Sequence, residues 1–202
     1  MVNKKLTKQL FVTHSDDYSN YCGIDEAGRG PIAGPLVFAA VLLKKEIDGL
    51  NDSKKLSAKK RETLFEIIKE SSEYFIYKVD AQKIDAIGLS KAIQESLLAI
   101  KKHFGEIKYL FDGKTAFGVS GINTLVKADS KVASVSAASI LAKVSRDQEM
   151  LTFSKIYPEY GFEKHKGYGT KAHLEAIAKY GYTPIHRKSF KIKLPTEEKT
   201  LF

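Results

Sequence analysis

The feature that most limits the fold is Leu36–Leu43, eight consecutive apolar residues. The run is too short to cross a bilayer as a helix, which needs about 20 residues. It is also too uniformly apolar for a strand with one wet face. Such a run, beginning at Pro35, reads as a strand buried on both faces of a sheet. A strand of that kind needs cover above and below, which points to a layered α/β domain.

The remaining periodicities supply the other parts. Asn20–Asp25 reads as a strand, Tyr74–Val79 alternates as strands do, and Ile107–Phe111 is a short strand stopped by Gly113. Ser57 can cap a helix over Ala58–Glu70 whose apolar face is Leu64, Phe65, Ile67 and Ile68. Ser90 can cap a second, with Ile93, Leu97, Ile100 and Phe104 on one face. Val135–Met150 reads as a third helix. It holds the small-residue run Ser136-Ala137-Ala138-Ser139, which can sit close against a sheet. Thr170 and Gly181 bracket a fourth by cap and stop. After Pro184 the chain is basic and irregular. With 202 residues, 43% of them hydrophobic, there is room for one domain with a proper core. We expect residues 20–190 to form it, after a loose extension or short added strand at 1–19 and before a tail at 191–202.

Cys22 is the only cysteine, which excludes an internal disulfide and a Cys-rich zinc site and suits a reducing, cytoplasmic setting. Lys4, Lys5 and Lys8 have no apolar stretch behind them, so no secretory signal or membrane association is expected. The formal net charge is +9, which favours an anionic partner, nucleic acid first. The excess is localised. Lys54–Arg61 holds five basic residues and no acid, and Lys164–Lys193 holds eight basic residues and one acid. The rest of the chain is slightly acidic. Either run alone could be no more than a solvated face.

The most unusual stretch is Gly23-Ile24-Asp25-Glu26-Ala27-Gly28-Arg29-Gly30-Pro31. Strand neighbours point to opposite faces, so Asp25 and Glu26 can share a ligand only if the strand ends or bulges there. Asp112 also ends an apolar strand just before a glycine, and Asp129 follows ahead of the small-residue helix. Strand ends in α/β sheets are where sites collect. Four carboxylates without a histidine or cysteine partner suit a hard cation such as Mg²⁺ or Mn²⁺, which would relieve their mutual repulsion. Two such ions could support phosphodiester hydrolysis. A plain surface Asp-Glu turn is the blander alternative for the dipeptide alone.

Two other signatures fail. Gly28–Ala33 fits G-x-G-x-x-G/A, but a buried strand follows instead of a helix, and the carboxylates would repel a pyrophosphate. Gly113-Lys114-Thr115 resembles the end of a P-loop, but Lys108 stands where its first glycine belongs. No G-x-S-x-G elbow supports a serine hydrolase. The glycine turn has another use. Backbone groups at Gly28 and Gly30 can approach a ligand closely and read a 2′-hydroxyl, with Arg29 on a phosphate. Tyr168, among basic residues and glycines, could stack on a sugar or base, or simply pack.

These residues carry a resemblance to the bacterial ribonuclease HII family, the type 2 ribonucleases H. The matching segments are GIDEAGRGP at 23–31, NDSKKLS at 51–57, FDG at 111–113, KADSK at 127–131, SAASILAKVSRD at 136–147 and HKGYGT at 165–170. The resemblance implies a ribonuclease H-like fold, with a mixed central sheet, flanking helices and a helical C-terminal part. It implies endonucleolytic hydrolysis of RNA in RNA–DNA hybrids, including single ribonucleotides in duplex DNA. Cleavage would fall 5′ of the ribonucleotide, leaving a 3′-hydroxyl and a 5′-phosphate. The family's four acids fall on Asp25, Glu26, Asp112 and Asp129 as catalytic and metal-binding residues for Mg²⁺ or Mn²⁺, with Asp25 and Asp112 the main ligands. The ribose sensor falls on Gly28, Arg29 and Gly30, the sugar-packing tyrosine on Tyr168, and a phosphate contact on Lys54. Asp147 competes with Asp129 for the fourth acid; the match to KADSK favours Asp129. The GRG turn and the short upstream segment resemble type HII more than type HIII. Lys199–Phe202 has a faint likeness to a sliding-clamp peptide, beside the plainer reading of a hydrophobic tail. A monomer acting in ribonucleotide removal is expected. A non-catalytic RNA–DNA hybrid-binding module and a dinucleotide-dependent oxidoreductase are the alternatives.

Overall fold

The computed structural model describes Tyr18, residues 20–50 and residues 56–195. Lys54, most of the 1–19 extension and the Lys199–Phe202 segment lie outside the described residues. Five strands form one sheet: β1 (Cys22–Ala27), β2 (Leu36–Leu43), β3 (Ser72–Val79), β4 (Tyr109–Asp112) and β5 (Ile122–Leu125), in the order β3-β2-β1-β4-β5. β2 runs antiparallel to both β1 and β3, whereas β1, β4 and β5 run parallel. The sheet is therefore mixed, and β1 sits where its pairing changes sense.

The helices are α1 (Ala58–Ser71), α2 (Ala81–Ile87), α3 (Leu89–Phe104), α4 (Ala133–Ile156), α5 (Phe162–His165) and α6 (Lys171–Tyr180). β2 is buried on both faces. Phe38 and Ala40 join Ile93, Leu97 and Ile100 of α3. Ala39 and Val41 join Leu64 and Ile68 of α1 and Ala137, Ile140 and Leu141 of α4. Each large side chain so buried contributes about 2 kcal/mol, which makes the strand the hub of both layers. Among the described residues no helix is long and apolar enough to cross a membrane.

Ser57 and Thr170 cap α1 and α6 as their sequence positions suggest, accepting from the N–H groups of Lys60 and His173. Other expectations shift. α3 begins at Leu89 and its first residue follows Gly88, so Ser90 lies within the helix and caps nothing. The reason is α2, which Asp80 caps and which ends on Gly88, leaving no room for a separate start at Ser90. β5 carries too short an apolar pattern to be read alone; its pairing with β4 makes it a strand. α4 is 24 residues long and overruns Val135–Met150 at both ends. β1 continues past Asp25 to Ala27 because both residues pair with β2, at Ala39 and Val37.

The C-terminal part packs Tyr160, Phe162, Ala176 and Ile177 against Ile32, Ala33 and Met150. A chain of hydrogen bonds runs through it. The Thr183 N–H donates to His186 Nδ1 at 2.9 Å, the two histidines share Nε2···Nε2 at 3.0 Å, and His173 Nδ1 meets the Tyr168 carbonyl at 2.9 Å. One proton per ring satisfies every bond: His186 Nε2–H donates to His173 Nε2, and His173 Nδ1–H to Tyr168. A second proton on either ring would break a bond, and His165 stacks on His173 at 4.4 Å. Burial pushes both His173 and His186 down to about 4. Between pH 6.5 and 4 the unfolded chain therefore binds more protons than the folded one, so stability falls with pH in that window, by a few kcal/mol. NMR titration of the two imidazoles in the folded protein checks this; rings that titrate near pH 6.5 would contradict it.

Candidate active site

The site lies where β1 and β4 end together. Their register pairs Ile24 with Phe111, which sets the next residues, Asp25 and Asp112, side by side. Strand alternation aims Ile24 and Phe111 into the α3 layer. Asp25 and Asp112 then face α4. Asp25 is nearly buried and takes a hydrogen bond from Ser139 of α4. Asp129 comes from the short 3₁₀ turn Ala128–Ser130 between β5 and α4. Lys127 just before it is left-handed (φ 58°, ψ 39°), which turns the N–H groups of Lys127 and Ala128 onto the Asp112 carboxylate.

Asp25, Asp112 and Asp129 each offer a carboxylate oxygen within 4.8 Å of the others. Burial, then the charges of Glu26 and Asp112, hold Asp25 well above the usual carboxylate range. Burial, then Asp129, raises Asp112 as well. An all-oxygen donor set at this spacing fits a hard divalent cation, which would offset the repulsion that these shifts record. The residues that would hold it are Asp25, Asp112 and Asp129.

Glu26 does not join this group. The strand does not end at Asp25, yet Glu26 stays near enough for its charge to raise Asp25. Arg29 Nε meets Glu26 Oε1 at 2.7 Å. The Arg29 guanidinium also lies over the rings of Phe111 and Phe117, 5.6 and 5.5 Å from their centroids. Asp147 lies elsewhere on α4, paired with Lys143 Nζ at 2.6 Å.

The glycine turn and Tyr168 are neighbours. Gly28 has φ 103° and lies so close to Arg146 and the Pro35 carbonyl that no side chain fits. Gly30 is exposed at the apex, and a Cβ there would stand 3.7 Å from Tyr168 Cε1. Tyr168 is 50% exposed. A ring half open to solvent beside a bare backbone apex suits stacking better than core packing.

A protein-family model described as Ribonuclease HII matches residues 22–193. This chain belongs to the ribonuclease HII family. It is similar to the ribonuclease HII of Sulfurovum sp., with 59% identity over 90% of this chain and 96% of that one. Among solved structures it is similar to the RNase HII of a PCNA:RNase HII complex from Archaeoglobus fulgidus, with a TM-score of 0.72 and 28% identity over 83% and 92% of the two chains. It is also similar to ribonuclease H2 from Pyrococcus horikoshii, with a TM-score of 0.70 and 29% identity over 85% and 93%. The fold is thus ribonuclease H-like, and the family is one of nucleases.

Several residues around the site were not singled out from the sequence. Ser139 was visible only as a small residue able to pack. Lys127 and Ala128 contribute backbone alone. Arg146, inside SAASILAKVSRD, and Arg187, inside no motif, are buried beneath the glycine turn. An arginine on an otherwise small and apolar helix face was the one available signal.

Because folded Asp25 and Asp112 hold protons more tightly than the unfolded chain does, these two groups should remove stability from the metal-free protein as pH rises above about 4, opposite in sign to the buried histidines. Asp112→Asn should therefore raise the metal-free melting temperature at pH 7. Mn²⁺ should stabilise the wild type and leave the variant unmoved. Calorimetry with and without Mn²⁺ checks both; a variant less stable than wild type, yet still stabilised by Mn²⁺, would contradict the assignment.

Proposed function

We propose that this protein cuts RNA–DNA hybrids, including single ribonucleotides embedded in duplex DNA, on the 5′ side of the ribonucleotide. The observation that carries this is the carboxylate triad beside an exposed glycine apex and an exposed tyrosine. Asp25, Asp112 and Asp129 would hold Mg²⁺ or Mn²⁺, with Glu26 next to Asp25 adding charge that tunes the site. The cation supplies Lewis-acid stabilisation of the phosphate charge and favours deprotonation of the attacking water. Water adds to phosphorus, the bond to the 3′-oxygen of the upstream nucleotide breaks, and that oxygen takes a proton. The products are a 3′-hydroxyl and a 5′-phosphate on the ribonucleotide.

Selectivity falls to the protein's own groups. Backbone N–H and C=O groups at Gly28–Gly30 can donate to and accept from a 2′-hydroxyl, which DNA lacks. Tyr168 stacks on the neighbouring deoxyribose. Arg29 presents charge nearby, and Lys54 belongs to the basic 54–61 run proposed to track phosphates. Binding should weaken steeply with salt as counterions are released. We further read the protein as a cytoplasmic monomer. The archaeal relative was solved in complex with PCNA, so the 199–202 segment is where a sliding-clamp contact would be sought.

A duplex carrying one ribonucleotide, incubated with and without Mg²⁺, tests the proposal. A metal-dependent nick 5′ of the ribonucleotide is expected, with no cut in the all-deoxy duplex. Asp112→Asn should lower the rate at least about a thousandfold while circular dichroism stays unchanged. Cleavage that survives chelation or the substitution would contradict the proposal.

A further inference from the structure

Beneath the β1–β2 turn lie two guanidiniums, each 1% exposed. Arg187 donates from Nε and Nη2 to the Gly34 carbonyl at 3.0 and 2.8 Å, and from Nη1 to the Arg29 carbonyl at 3.2 Å. Arg146 donates from Nε to the Pro35 carbonyl at 3.0 Å and from Nη2 to the Ala33 carbonyl at 3.1 Å. Neither forms an ion pair among the described residues. Burying two like charges against neutral carbonyls is costly, and apolar side chains of similar volume would fill the space more cheaply. What the guanidiniums add is direction: they draw four turn carbonyls inward, those of Arg29, Ala33, Gly34 and Pro35.

Direction matters most at Arg29–Gly30. The described chain has no cis peptide bond. In a planar trans peptide the N–H points opposite to the C=O. With the Arg29 carbonyl drawn in to Arg187, the Gly30 N–H is turned outward, at the exposed apex beside Tyr168. Arg187 is itself held firmly. Its N–H donates to the Ile32 carbonyl at 2.8 Å. The next two residues are stapled to Asp85 of α2, which accepts from the N–H groups of Lys188 and Ser189 at 2.8 and 3.0 Å. The position of the C-terminal segment is thereby transmitted to one N–H group in the turn.

We propose that Arg187, with Arg146 beside it, is a positioning residue for ribose selection, keeping the Gly30 N–H aimed at the 2′-hydroxyl of the bound ribonucleotide. This rests on the reading of residues 28–30 as the ribose sensor. The residue acts through the turn and touches no substrate atom. Its loss should therefore lower discrimination between ribose and deoxyribose more than it lowers affinity for a duplex.

The test is fluorescence anisotropy in Ca²⁺, under conditions checked for absence of cleavage. It uses two duplexes identical except for one ribonucleotide or its deoxy counterpart. Wild type should prefer the ribonucleotide duplex. Arg187→Lys keeps the charge but lacks the planar fork that spans the Gly34 and Arg29 carbonyls, and should cut that preference about tenfold, the order of one hydrogen bond. Asp85→Ala loosens the same tether from an exposed site and should lower the preference less, in the same sense; it carries the test if Arg187→Lys does not fold. An unchanged preference in the folded variants, or equal weakening toward both duplexes, would overturn the proposal. A wild type without preference would instead remove the ribose-sensor reading, and this proposal with it.

Discussion

The contact on which the structure depends is the close approach of β1 to the first turn of α4. Gly23 faces the backbone of Ser134 and Val135, and any side chain at position 23 would collide with it. The small residues Ala137 and Ala138 let the helix stay as close to the sheet further along. Because the helix sits on the strand without a layer of side chains between them, Ser139 reaches Asp25. For the same reason the 3₁₀ turn that feeds α4 brings Asp129 to Asp112. A larger separation would leave three carboxylates on three elements with nothing in common.

The site that results works against the stability of its own fold. Burial, and after it the like charges alongside, raises two carboxyl groups, and among the described residues two guanidiniums beneath the turn have no acid partner. Both costs are met by the apolar layers on either side of β2, where packing contributes most. The two charged groups divide the labour. The acids make a place for a cation, and the arginines use directed bonds to set the conformation of the turn beside it. Tyr168 links them, with its ring against Gly30 and its carbonyl tied to the buried histidine pair.

Much of this was legible in the sequence, for identifiable reasons. The eight-residue apolar run read as a doubly buried strand, and Ser57 and Thr170 announced their helices through cap chemistry. Asp25 and Asp112 stood out because each follows an apolar strand, the first ahead of a glycine-rich turn and the second just before Gly113. The rest depended on tertiary facts. That β1 runs past Asp25 and Glu26 to Ala27 only its pairing with β2 decides. β5 is a strand because β4 lies beside it. Ser90 lost its capping role to a neighbouring helix. Arg146 and Arg187 are charges in a core, a choice that hydropathy disfavours and only the surrounding carbonyls explain.

The central claim is that one tight helix–sheet contact assembles a cation site from Asp25, Asp112 and Asp129. Anomalous diffraction from crystals soaked in Mn²⁺ tests it most directly. The account predicts a peak bonded to carboxylate oxygens of all three residues at about 2.2 Å. Manganese bound only at other carboxylates, in protein that still cleaves at a ribonucleotide, would contradict it.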